Sequence, residues 1–174
     1  DPDVVMVGAL TDRETAALAL EAASRGVLVL AGIEARDARA AIEVYKDFGV
    51  SAERLANALV ASVGVAMVRK LGGKQFSDKQ KLTRAQSNEL EVRANFAAVL
   101  AALKEEGKVD KDTPWKDLQF AKPVGSTEHP DGYSGLLGLQ EVVVDAETVG
   151  LNVVEDGLFK AAQGLTSIDE IASL

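Results

Sequence analysis

The first sixteen residues, DPDVVMVGALTDRETA, raise a chemical question at one position. Four apolar residues, Val4 to Val7, run into Gly8 and a helix start follows, so a buried strand should end at residues 8–10. In a nucleotide-hydrolysing α/β protein, an acidic residue at that tip polarises water or holds a metal. Ala9 places a methyl group there. The remaining groups with chemistry to offer are few. Asp1 and Asp3 precede the strand and could ligate a cation, although acidic residues there are usually solvated or capping. Asp12 suits the positive end of the helix that follows. Glu34 stands just past a second apolar run, at the carboxyl edge where ligands bind in parallel sheets. His129 is the single histidine, and with no cysteine in the chain zinc has no evident ligand set. A phosphate grip of the form G-x-x-x-x-G-K-[ST] is missing, the nearest stretch being Gly73-Lys74-Gln75 in a polar segment.

The elements that would position these residues follow from local patterns. Val4 to Val7 and Val27 to Ile33 are apolar runs without polar alternation, which predicts parallel strands covered on both faces. Between them Thr11 and Glu14 have capping-box spacing, and a helix over residues 12–24 ends at Gly26. Strand, helix and strand form one crossover unit. Asp37 can cap the next helix, with Ile42, Tyr45 and Phe48 on one face and Gly49 as its stop. Ser51 opens another, expected to run to about Lys70 along a stripe of Ala56, Ala58, Ala61, Gly64 and Ala66. Gly72-Gly73 breaks the pattern, and residues 74–81 read as a linker or exposed loop. A long amphipathic helix is predicted over Thr83 to Glu106. A short strand near residues 118–121, a strand over residues 136–144 and two helices, over residues 156–163 and 166–173, complete the chain. In "DTPWKDL", Trp115 would cap a small core under a loop or anchor a partner.

A chain of 174 residues that is 47% hydrophobic can fill a core. Its net charge of -8 argues against a phosphate-backbone partner, so no nucleic acid is expected. The longest apolar-rich stretch, residues 55–68, is broken by Asn57, Ser62 and Gly64 and is too short to cross a bilayer. Asp1 in place of Met suggests a cut N-terminus.

Taken in order, several segments resemble the C-terminal half of the type II secretion and type IV pilus assembly ATPases. The opening segment is similar to that family's Walker B stretch, D-P-D-x-x-M-V-G-E-x-R-D-x-E-T-A. "GVLVLAGIEARDA" resembles its histidine-box region, and "VRKL", "DGYSGLLGLQEV" and "EDGLFKAAQGLTSIDEI" resemble later motifs. The likeness is good over residues 1–72 and 124–171 and poor between them. It implies that the water-activating glutamate corresponds to Ala9, the nearby arginine to Thr11, and the histidine-box residues to Val27 and Glu34. A Gln-Arg pair becomes Val65-Ala66. Four zinc-binding cysteines fall near Gly72, Gln75, Ser126 and His129. Asp12 matches a position beside the nucleotide.

The resemblance therefore implies an α/β fold, the C-terminal part of a RecA-like P-loop NTPase domain followed by a small mixed α+β subdomain. It divides the chain into a core segment over residues 1–72, a helical insert over 73–123 and a C-terminal subdomain over 124–174. The implied protein is a cytoplasmic hexameric motor, peripheral at the inner membrane, with ATP and Mg as family cofactors and none held by this chain alone. Implied partners are other secretion or pilus ATPase subunits and an inner-membrane platform protein. The chemistry reads as degenerate: the catalytic set is empty, Asp12 and Glu34 mark the margin of the nucleotide site, and no metal ligands are expected. The other reading is a noncatalytic interaction module. The subdomain after Gly72 should fold without zinc, held by apolar packing of the Leu90 to Leu103 face, and the chain should neither bind ATP tightly nor hydrolyse it.

Overall fold

In a computed structural model describing residues 2–72, 78–145 and 147–174, the opening residues form β1 (Val4–Val7), α1 (Arg13–Ser24) and β2 (Leu28–Ala31). The two strands are parallel, with Val4 opposite Leu28 and Val7 opposite Ala31, as the flanking apolar runs predict. Two local details differ from expectation. Asp12, not Thr11, is the N-cap of α1, because its carboxylate reaches the Thr15 amide. The strands are also not covered on both faces. α1 packs on β2, while Val4, Met6, Leu28 and Leu30 remain exposed, Met6 to 79%.

Asp37 caps α2 (Ala38–Asp47), and its side chain accepts from the Ala40 amide at 2.7 Å. Gly49, at φ 82°, takes the chain out of that helix. Ser51 caps α3 (Ala52–Ala58), which stops far short of Lys70. Residues Ser62–Leu71 form β3 instead of continuing the helix. Small residues fit either period there. Val63, Val65 and Met67 point out while Gly64 and Val68 are buried, a two-residue alternation that only a strand produces.

The predicted long helix is two helices. Thr83 and Gln86 form a capping box for α4 (Arg84–Glu91). The chain then turns, and Asn95 starts α5 (Phe96–Glu105) by accepting from the Ala97 and Ala98 amides. Asn95 competes for backbone donors better than it continues a helix. Tertiary bonds fix the break: the Asn95 amide donates to Glu155 at 2.7 Å and Asn152 Nδ2 to the Arg93 carbonyl at 3.2 Å. Residues Lys79–Gln80, inside the segment expected to be a loop, form β4, which pairs antiparallel with β5 (Phe120–Ala121). Residues 74–77 of that segment, together with Gly73, lie outside the described residues.

After β5 come β6 (Tyr133–Val144), β7 (Glu147–Val149), α6 (Val153–Ala162) and α7 (Ile168–Ala172). β6 and β7 pair antiparallel with Val142 opposite Val149, and the sheet order is β3, β6, β7. The short β7 has no counterpart in the sequence reading. α6 starts three residues earlier than expected because Asn152 and Glu155 form a capping box, and Ser167 caps α7.

The chain clusters into two compact units, Asp1–Gly64 with Glu141–Val149, and Val65–Gln140 with Gly150–Leu174. The first has a small core of Ala16, Leu20, Val50 and Leu55, flanked by Ile42, Tyr45 and Phe48. The second has the larger core, in which Leu90, Val99, Leu103, Phe120, Leu139, Leu158 and Ile171 are fully buried. Trp115 stacks on Phe96 with ring centroids 4.3 Å apart and lies against that core, so it packs under its loop.

Candidate functional site

The carboxyl edge of β1 and β2 is where a ligand would sit in a parallel sheet, and its backbone is closely built. The Gly32 amide donates to the Val7 carbonyl at 3.1 Å, and the Leu10 amide donates to the Gly32 carbonyl at 2.8 Å. A Cβ on Gly32 would lie 2.4 Å from the Gly8 carbonyl oxygen, so only glycine lets the two loops meet. This turn buries Leu10 and leaves Ala9 exposed at the strand tip. The position of interest thus faces solvent with a methyl group and no proton-transfer or metal-binding capacity.

The two acidic candidates behave differently. Asp12 Oδ1 accepts from the Thr15 amide at 2.8 Å, and Oδ2 accepts from the Thr15 hydroxyl at 2.9 Å and the Thr11 hydroxyl at 3.3 Å. The Thr15 amide bond, followed by its hydroxyl bond, holds the Asp12 carboxyl below the usual range. Both oxygens are committed to the helix start. Glu34 follows β2 on an exposed stretch, with no hydrogen bond or ion pair among the described residues. The register brings Ala9, Asp12 and Glu34 to one edge of the β1–β2 pair without assembling an acid–base pair. Asp3 is exposed ahead of β1, and Asp1 lies outside the described residues.

The turn carrying His129 is held by backbone geometry. The Ser126 amide donates to the His129 carbonyl at 2.8 Å, the His129 amide to Ser126 Oγ at 3.0 Å, and the Gly72 amide to the Gly132 carbonyl at 2.9 Å. A Cβ on Gly72 would lie 3.0 Å from the His129 ring. Three positions singled out as zinc-cysteine equivalents, Gly72, Ser126 and His129, therefore meet at one locus, while Gln75 lies outside the described residues. Among the described residues, no three His, Cys, Asp or Glu side chains gather as a metal-binding group.

The most developed polar cluster lies elsewhere, and sequence reasoning missed it. The Arg69 guanidinium donates to Glu170 Oε1 from Nε at 3.0 Å and from Nη2 at 2.7 Å, and the Arg69 amide donates to Glu170 Oε2 at 2.7 Å. Its planar group lies 4.0 Å over the Tyr133 ring, with Asp131 at 3.6 Å. The Tyr133 hydroxyl pairs with Ser167 Oγ at 2.9 Å, and Thr166 Oγ1 donates to the Arg69 carbonyl at 2.7 Å. Burial pushes the Glu170 carboxyl up, but the hydrogen bonds and charge of Arg69 pull it further, leaving it below the ordinary glutamate value. Arg69 belongs to "VRKL", Tyr133 to "DGYSG" and Glu170 to "TSIDE". Three separately recognised segments are one structural knot, which each segment alone could not reveal.

The family model described as type II/IV secretion system protein matches residues 1–171. The chain belongs to that family. Within it, the type IV pilus assembly ATPase PilB of Acinetobacter baylyi is 27% identical over 98% of this chain and 30% of its own length. The type II secretion system protein E of Pseudomonas aeruginosa is 29% identical, over 98% of this chain and 34% of its own. The protein transport protein HofB homolog of Haemophilus influenzae is 38% identical over 42% of this chain and 16% of its own length. The secretion-family chain thus spans about a third, or less, of the curated relatives it matches. Among its described residues, no helix is long and apolar enough to cross a membrane.

Proposed function

We propose that this chain is a motor-ATPase-related region of the secretion family that has kept the scaffold and lost the hydrolytic chemistry. The observation that carries the reading is Ala9, exposed at the end of β1 where the family resemblance expects a water-activating glutamate. Phosphoryl transfer is driven by positioned charge: a group to orient water, cations on the γ-phosphate and a loop that holds the phosphates. In these 174 residues the first is a methyl group, the histidine-box positions are Val27 and Glu34, and no G-x-x-x-x-G-K-[ST] occurs. Asp12 caps a helix, and Glu34 stands without a partner among the described residues. The retained residues, by contrast, build the Arg69 knot and the glycine turns. The parallel β1–α1–β2 arrangement is compatible with the RecA-like sheet that the resemblance implies.

A phosphate-release assay on the wild-type chain and on Ala9→Glu tests this reading. Both are expected to stay at background, because a water-positioning carboxylate does nothing for a γ-phosphate that is not held. Release clearly above background from either protein overturns it.

A second reading is favoured by the apolar rows on exposed strand faces. Met6, Leu28 and Leu30 on one sheet are the kind of surface that a noncatalytic docking module presents, as are Val65 and Met67 on β3. In that reading the occupant is an active homologue or an inner-membrane platform protein. Pull-down with purified family ATPases, and its loss in Met6→Lys, distinguishes it.

A further inference from the structure

The β6–β7 ladder runs only as far as Val142, opposite Val149, and Gly150 at φ 80° then takes the chain out of the strand. Alternate residues of a strand present their amide and carbonyl to the same edge, so counting back from Val142 by twos reaches Gln140 and Gly138, where β7 gives no cover. Residues 136–144, LLGLQEVVV, hold one charged side chain and no proline. An apolar strand of this composition with an open edge is a template for a strand from another chain.

Two side chains of α6 stand on that edge. The Gln140 amide donates to Asp156 Oδ2 at 2.9 Å, and Lys160 Nζ donates to the Gly138 carbonyl at 2.9 Å. Lys160 also donates to Asp156 Oδ2 at 2.6 Å, which joins the two caps. The carbonyl at 138 and the amide at 140 are the groups that one residue of a parallel strand would engage opposite Leu139. The ammonium stands in for that residue's amide and the carboxylate for its carbonyl. Both side chains are mostly buried, Asp156 to 13% exposure and Lys160 to 20%. Their i,i+4 spacing puts the acid in the first turn of α6 and the base in its last, which suits the helix dipole. Gly157 lets α6 sit close beneath β6, since a Cβ there would lie 3.2 Å from Leu139 Cδ1.

We propose that Asp156 and Lys160 form an edge guard: by occupying the Gln140 amide and the Gly138 carbonyl, they keep an extended segment of another chain from adding to β6. This role is separate from holding the fold together, because the core beneath is set by Leu139 and Leu158, which stay buried without the pair. It involves no nucleotide and is independent of whether ATP is hydrolysed.

Hydrogen exchange and thioflavin T fluorescence of the whole chain test the proposal in four variants. In Asp156→Ala/Lys160→Ala the Gln140 amide should exchange at least about tenfold faster than in wild type. That protein should keep a native circular dichroism spectrum when dilute, and should form thioflavin-positive assemblies at a rate that rises with concentration. Lys160→Ala alone leaves the start of α6 intact and should assemble as well, more slowly, so it decides the matter if the double variant fails to fold. Asp156→Asn keeps an acceptor for the Gln140 amide and should stay as soluble as wild type. Glu170→Ala loses stability in the same unit without opening the edge, and should also stay soluble. Either guard variant remaining as soluble as wild type overturns the proposal. So does Glu170→Ala assembling as readily as the double variant, which would trace assembly to lost stability, or Asp156→Asn doing so, which would trace it to the lost charge.

Discussion

At the scale of single residues, Glu170 is the side chain on which most depends. It accepts three hydrogen bonds from Arg69, one of them from the backbone amide, and its side chain is only 13% exposed. Replacing it with alanine leaves a buried-side acceptor site empty and the Arg69 amide unpaired, which should cost about 1.5–3 kcal/mol in urea unfolding. The pH dependence has a definite sign. The folded-state pKa is depressed, so the stabilisation is complete above the unfolded glutamate value of about 4.3 and is lost as pH falls through the lower folded value. Wild type should therefore lose stability on acidification through that window, and Glu170→Ala should lose less. Parallel acid titrations of the two proteins, followed by circular dichroism, check this. Equal slopes would mean that the Arg69 pairing contributes nothing to folding.

Among the elements, Gly32 is the sharpest test of how the candidate site is built. Its replacement by alanine forces a Cβ against the Gly8 carbonyl, a backbone atom that cannot swing aside. A destabilisation of about 1–3 kcal/mol is expected, with amide exchange accelerated first at Gly32 and Leu10, whose bonds join the two loops. The elements around this site were legible in the sequence because their signals are local. Two apolar runs, a capped helix and the Asp37 cap each declare themselves within a few residues. β3 was not legible, since a run of alanine, valine and glycine suits a helix or a strand and its pairing in a sheet with β6 is a distant event. The break at Asn95 was hidden for a similar reason. Its local capping signal sits inside an amphipathic pattern, and Glu155, sixty residues away, fixes it. The Arg69 knot joins residues about a hundred positions apart and has no period to read.

For the whole molecule, the two cores set which unit carries the stability. Leu158 is fully buried in the larger one, so Leu158→Ala should cost about 2–5 kcal/mol, whereas Leu18→Ala, on an exposed face of α1, should cost little. Thermal unfolding of both variants makes that comparison. On the proposed reading, the segments that resemble the family pack, cap and turn, while Ala9, Val27 and Glu34 stand where the resemblance expects the water-activating and histidine-box residues. The proposed function leaves this chain without a working nucleotide site. Calorimetric titration of the wild-type chain with Mg-ATP tests it most directly: no saturable heat up to millimolar nucleotide is the predicted result, and binding in the micromolar range would contradict it.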